Sequence, residues 1–154
     1  MLTEVCDYVH NYFESGTVYT DDYEIADGSI NLDSILKDGQ RFKLCGSALN
    51  DGIYTYFHDG EVYDDDGTKL VFMASETFRG SIIPMNVPVL FTNMVKDIKE
   101  WQERNQAIIE SPYQSESFGG YSYTKASANG SGSSGLLSWK NVFGSKLNAY
   151  RKIG

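Results

Sequence analysis

The chain has 154 residues, 41% of them hydrophobic and 22% charged, which suits one soluble domain with a real core and does not suit a disordered polymer. Its net charge of −8 argues against a general nucleic-acid binder held by phosphate contacts. No apolar run approaches the roughly 20 residues needed to span a bilayer, and the opening M-L-T-E-V-C-D-Y has no signal-peptide pattern.

The charge is unevenly spread. Residues 1–87 carry 16 acids and 5 bases, whereas residues 88–154 carry 5 acids and 8 bases. After Glu116 five bases follow and no acid. A basic tail on an acidic body suggests a docking element for an acidic partner, or for the acidic half of a neighbouring copy.

Residues 2–13 read as an amphipathic helix, with Leu2, Val5, Cys6, Val9, Tyr12 and Phe13 on one stripe. Thr3 is the predicted N-cap and Gly16 the predicted stop. From 17 to about 83 the signals turn to β-structure. V-Y-T-D-D-Y-E-I at 18–25 is followed by the turn pair Asp27-Gly28. Q-R-F-K-L-C at 40–45 alternates, placing Phe42 and Leu44 on one face. Turns at Asn50-Asp51-Gly52, Asp59-Gly60 and D-D-D-G (64–67) separate I-Y-T-Y-F from K-L-V-F-M at 69–73, and Thr77–Ile83 adds a further strand. Short strands at this spacing predict a small antiparallel sheet or barrel.

Pro88 can open the longest helix, 88–109, whose stripe is Phe91, Met94, Val95, Ile98, Trp101 and Ile108. Residues 111–125, S-P-Y-Q-S-E-S-F-G-G-Y-S-Y-T-K, set four aromatics among small polar residues. That composition suits a contact surface and equally an ordinary loop packed on its own domain. A-S-A-N-G-S-G-S-S-G at 126–135 reads as a flexible linker. A last helix, about 138–152, is capped by Ser138, with Trp139, Val142, Phe143, Leu147 and Tyr150 as its stripe. It either docks on a partner or folds back on its own domain.

Candidate chemistry is thin. Gly130-x-Gly132-x-x-Gly135 lacks the preceding buried strand and following acid of a dinucleotide site. Asp59, Asp64, Asp65 and Asp66 form an acidic cluster, but counting back from Gly67 places Val62 at the first position of a calcium loop, so the cluster reads as a solvated hairpin loop. His10 reads as a satisfied structural histidine, and neither it nor His58 has a nucleophile or carboxylate pair at identifying spacing. Cys6 and Cys45 read as free thiols. The sequon Asn129-Gly130-Ser131 has no secretion signal to make use of it. No enzyme activity, cofactor or metal is expected.

Three stretches carry a family resemblance: G-S-A-L-N-D-G-I-Y-T-Y at 46–56, D-I-K-E-W-Q-E-R-N at 97–105 running into the aromatic stretch, and W-K-N-V-F-G-S-K-L-N-A-Y-R-K-I at 139–153. In this order they resemble the head–tail connector (adaptor, or head-completion) proteins of tailed bacteriophages and prophages. Residues 59–75 are less covered. The resemblance implies a structural virion protein made in the host cytoplasm and placed in the neck. There a ring, usually of twelve copies, docks under the portal protein and meets a stopper, tail-terminator or tail protein. Double-stranded DNA passes through without specific binding, and no membrane is involved. The expected fold is α+β: N-terminal helix, inserted sheet or barrel at about 17–83, long central helix, extended aromatic loop and C-terminal helix. The expected organisation is a body at 1–125, a linker at 126–135 and a docking helix at 136–154. Trp139, Phe143, Leu147, Tyr150, Arg151, Lys152 and Ile153 are the expected portal contacts. Tyr113, Phe118, Tyr121 and Tyr123 are the expected contacts between copies. The rival expectations are a stopper or tail terminator, a metal enzyme using the acidic loop, and an interaction module built on a small barrel.

Overall fold

The computed structural model describes residues 1–109, without the side chains of Ile108 and Ile109, and residues 138–153. Tyr113, Phe118, Tyr121 and Tyr123, with the rest of the aromatic stretch and the 126–135 linker, lie outside the described residues. The elements are α1 (Leu2–Val9), β1 (Tyr19–Ile25), β2 (Gln40–Cys45), β3 (Gly52–Tyr56), β4 (Val62–Tyr63), β5 (Glu76–Pro84), α2 (Val89–Arg104), α3 (Gln106–Ile109) and α4 (Trp139–Leu147). The class is α+β. The chain divides into two compact units, Met1–Thr92 and Asn93–Gly154.

The first unit holds one antiparallel five-stranded sheet in the order β1-β5-β2-β3-β4. β5 is its longest strand. It pairs with β1 from Glu76 to Ile82 and with β2 from Ser81 to Pro84. The predicted alternation in β2 holds: Phe42 and Leu44 are fully buried, while Arg41 and Lys43 face the other way and are half-buried. Ile25, Phe42, Leu44, Tyr56, Val62, Phe78 and Ile82 form the sheet's share of the core. Among the described residues no helix contributes to this cluster. Ile30, Leu32 and Leu36 from the β1–β2 connection, and Met73 from the β4–β5 connection, close it. Burying this much aliphatic and aromatic side chain is the main favourable term in the unit's stability.

Local chemistry explains the turns. Asp27 and Gly28 both take positive φ, 52° and 78°, and the Ala26–Ser29 bridge closes over them, as the sequence pair predicts for a primed turn. Gly80 has a different reason. A Cβ there would stand 2.4 Å from the Cys45 carbonyl oxygen, so only glycine lets β5 pass the end of β2.

Four expectations change. α1 ends at Val9, not at residue 13. His10 turns left-handed, the His10 N–H donates to the Asp7 carbonyl, and the Asn11 N–H donates to the Cys6 carbonyl. That pair of bonds is the Schellman stop, here without the usual glycine. Tyr12 and Phe13 leave the helix, and the Phe13 ring lies 4.7 Å from that of Phe91. Residues 69–73 are not a strand. They run extended with Val71 and Met73 facing in, but Val71 N–H donates to Val62 and Met73 N–H to Gly28. Two different partners leave no continuous ladder. The predicted 88–109 helix is α2 followed by the short α3, divided at Asn105. The Asn105 side-chain amide donates to the Trp101 carbonyl at 2.7 Å, the same acceptor its backbone N–H uses, which is how Asn competes with a helix ladder. The last helix is α4 with a 3-10 turn, Asn148–Tyr150, rather than 138–152 continuous.

In the second unit Val95 and Ile98 of α2 are buried, as are Trp139, Phe143 and Leu147 of α4. The rings of Trp101 and Phe143 meet edge to face at 6.3 Å. Ser138 caps α4 as expected, its hydroxyl accepting from the Lys140 N–H at 3.2 Å. Among the described residues no helix is long and apolar enough to cross a membrane.

Gly80→Ala is expected to destabilise the chain by about 1–3 kcal/mol, the range for a forced overlap. Urea unfolding measures it, and an unchanged midpoint would show that the strands separate without cost.

Candidate functional site

The acidic run at 64–66 is a joint, not a solvated loop. Its three backbone carbonyls are held by the sheet. Thr55 Oγ1 donates to the Asp64 carbonyl at 2.9 Å, Arg41 Nε to that of Asp65 at 2.9 Å, and Arg41 Nη2 to that of Asp66 at 3.4 Å. Thr55 and Arg41 are cross-strand partners on the face opposite Phe42. Two of the carboxylates then cap α1. Asp65 Oδ2 accepts from the Thr3 N–H at 2.8 Å and the Thr3 hydroxyl at 2.7 Å, and Asp66 Oδ1 accepts from the Leu2 N–H at 3.2 Å. Thr3, the predicted cap, instead donates to the capping acid. Negative charge at a helix N-terminus satisfies orphan N–H groups and meets the positive end of the macrodipole. The third carboxylate, Asp64, accepts from the N–H groups of Thr68 and Lys69 in its own turn.

Burial alone would raise the Asp65 carboxyl. The Thr3 N–H and hydroxyl, with the α-amino group of Met1, outweigh it and hold the group below the usual carboxylate range. The three carboxylates lie within cation-binding reach of one another, but those of Asp65 and Asp66 already cap α1 and that of Asp64 bonds its own turn.

A second polar centre fixes the loop between β2 and β3, part of the first resemblance stretch. The Glu76 carboxylate accepts from the Ser47 hydroxyl, from the Ala48 N–H at 2.8 Å and from Asn50 Nδ2 at 3.1 Å. The Ser47 hydroxyl does most to hold the Glu76 carboxyl below its usual range, against a smaller opposing effect of burial. Asn50 is only 5% exposed. Its amide donates to the Ala74 carbonyl and its oxygen accepts from the Ala74 N–H, both at 2.9 Å. Such a bidentate match imitates a strand pair and ties the loop to the chain entering β5. Leu49, at the loop's tip, is left 66% exposed.

The expected portal contacts divide. Trp139, Phe143 and Leu147 are buried within the folded chain and Tyr150 is half-buried, while Arg151, Lys152 and Ile153 are exposed. Of the two alternatives left open for the last helix, its apolar stripe follows the fold-back one.

The other titratable groups have structural surroundings. His10 is exposed at the end of α1 rather than set in the core. The ring of His58, itself exposed, lies 3.7 Å from Asp33 and 4.0 Å from Asp38. Tyr56 is fully buried. Its hydroxyl donates to Asp33 and accepts from the Leu32 N–H, and burial, aided by the Asp33 bond, pushes it up to about 12. Burial, with the nearby negative charge of Asp7 and Asp65, pushes the Cys6 thiol up to about 12, so it carries no reactive thiolate at neutral pH. Cys45 is a half-buried free thiol.

Comparison with family models, with curated proteins and with solved structures gives no match.

Asp65→Ala is expected to cost about 1 kcal/mol at neutral pH, the usual worth of a helix cap. Because the folded carboxyl sits below its ordinary value, this stability is present above about pH 4 and is lost as pH falls through the folded value. The gap between parent and variant therefore closes in acid, and denaturant midpoints from pH 7 to 2 check it. Asn50→Ala strands both polar groups of Ala74 and is expected to cost about 1–3 kcal/mol by the same measurement.

Proposed function

We propose that this chain is a structural subunit of the ring-shaped head–tail connector of a tailed bacteriophage or prophage particle. It would dock beneath the portal and extend the DNA channel toward the tail. The reading is carried by the order and length of the three stretches that resemble that family, at 46–56, 97–105 running into 111–125, and 139–153. The middle one is long and unusual enough that chance agreement is a poor explanation.

The folded chain supplies features such a subunit can use. The loop of the first stretch is fixed by Glu76 and Asn50, so it meets a partner with little ordering cost. The acidic surface of residues 1–87 suits a channel wall past which DNA slides, since like charges repel. In this reading α2 is the long central helix of the connector body. The portal contact is confined to the exposed end, Arg151, Lys152 and Ile153, because Trp139, Phe143 and Leu147 of α4 are buried within the chain. Tyr113, Phe118, Tyr121 and Tyr123 are the contacts between copies.

Mixed with a candidate portal ring, the protein is expected to bind in a fixed ratio to the portal subunits, read as the mass of the complex. Arg151→Glu with Lys152→Glu weakens that binding and leaves the melting temperature unchanged. A protein that ignores portal and binds a tail-tube or terminator protein instead moves the assignment to the tail side of the neck.

A further inference from the structure

Five Asp-Gly pairs punctuate the first unit, at 27–28, 38–39, 51–52, 59–60 and 66–67. Glycine has no side chain to shield its amide nitrogen, so at such a pair the aspartyl side chain can cyclise onto its own main chain. The fold treats the five differently. The Asp38 carboxylate accepts from the His58 N–H at 2.9 Å, and the Gly39 N–H donates to the Tyr56 carbonyl at 2.7 Å. The Asp51 carboxylate accepts from the Ser47 N–H at 2.7 Å, and Gly52 pairs with Leu44 at the start of β3. Asp66 caps α1, and the Gly67 N–H donates to the Asp64 carbonyl at 3.0 Å. Gly60, after Asp59, is buried against the Ile30 backbone. Its N–H faces the Tyr56 hydroxyl, and its carbonyl accepts from the Ile30 N–H at 3.3 Å.

Asp27-Gly28 has both reacting groups free. Among the described residues neither the Asp27 carboxylate nor the Gly28 N–H meets a partner, and Asp27 is exposed. The pair is the centre of the turn closed by Ala26 and Ser29, so its own peptide takes part in neither closing bond. Positive φ at both residues, 52° and 78°, is type I′ geometry. Turning the central peptide over converts type I′ to type II′, which takes ψ of the first residue to about −120°. That rotation carries the Gly28 nitrogen to Asp27 Cγ. We propose that Asp27-Gly28 is the site at which the folded chain forms a succinimide and then an isoaspartate, ahead of the other four pairs. The Gly28 nitrogen attacks Asp27 Cγ. The N–Cγ bond forms, the Cγ–OH bond of the protonated carboxyl breaks, and the amide proton leaves with that hydroxyl as water. A solvent water then opens the ring. Addition at the Asp27 main-chain carbonyl breaks its bond to nitrogen and gives isoaspartate, whereas addition at Cγ restores aspartate. Isoaspartate lengthens a two-residue turn by one methylene, which disturbs the Ala26–Ser29 pair and the bond from the Met73 N–H to the Gly28 carbonyl.

The test incubates the folded chain in water enriched in heavy oxygen, because each cycle of closing and opening leaves one solvent oxygen on the residue. Peptide mapping with fragmentation locates the label and tells isoaspartate from aspartate by the added main-chain methylene. It reads Asn129-Gly130, outside the described residues, separately. Asp27 is expected to gain label several-fold faster than Asp38, Asp51, Asp59 or Asp66, with isoaspartate accumulating at the same position. In urea the five rates are expected to draw together, since the fold no longer distinguishes the pairs. Four results overturn the proposal. One is another pair in the folded chain that labels as fast as Asp27. The second is a lead at Asp27 that persists undiminished in urea. The third is label at Asp27 without isoaspartate. The last is no label there over a period in which the unfolded chain reacts. None of these touches the connector reading, whose own failure is a protein that leaves portal unbound.

Discussion

The first unit depends on the turn at Asp64–Asp66. Its backbone faces the sheet and its side chains face the helix, so one three-residue segment joins two elements that share no hydrogen-bond ladder. Thr55 and Arg41 hold the carbonyls, and Asp65 and Asp66 accept the first N–H groups of α1. The ends of a helix must find partners somewhere. Here they lie more than sixty residues away in sequence, so α1 is capped only once the sheet has formed. Local propensity alone would leave an eight-residue helix marginal.

The same economy recurs at Glu76. One carboxylate and one amide organise the β2–β3 loop and hold its exposed residues in place. Polar groups buried with all their bonds made specify a conformation more sharply than apolar packing does. Unit one therefore combines a sheet core to which the connections contribute Ile30, Leu32, Leu36 and Met73 with two polar joints that fix connections. The apolar residues left outside, Leu49, Leu70 and Phe72, sit beside or within those connections.

What the sequence made legible was local. The Asp27-Gly28 turn, the inward Phe42 and Leu44, the Ser138 cap and the α+β class all follow from chemistry within a few residues. Three readings missed, two of them because the deciding partner was distant. D-D-D-G reads as a solvated turn until Thr3 and Arg41 are brought to it. Residues 69–73 alternate like a strand, but their bonds go to Val62 and Gly28 separately. His10 ends α1 in a conformation that glycine signals more often. For the last helix the pattern left two directions open, docking on a partner or folding back. The α4 stripe is apolar because Trp139, Phe143 and Leu147 pack inward, which periodicity cannot distinguish from packing on another protein.

Amide hydrogen exchange on the parent and on Asp65→Ala/Asp66→Ala tests most directly whether this turn joins helix to sheet. The account predicts that the amides of α1 lose protection selectively in the variant while those of β2 and β5 keep theirs. Unchanged protection in α1 would contradict it, and would mean that the burial of Leu2, Val5, Cys6 and Val9 holds the helix without its distant caps.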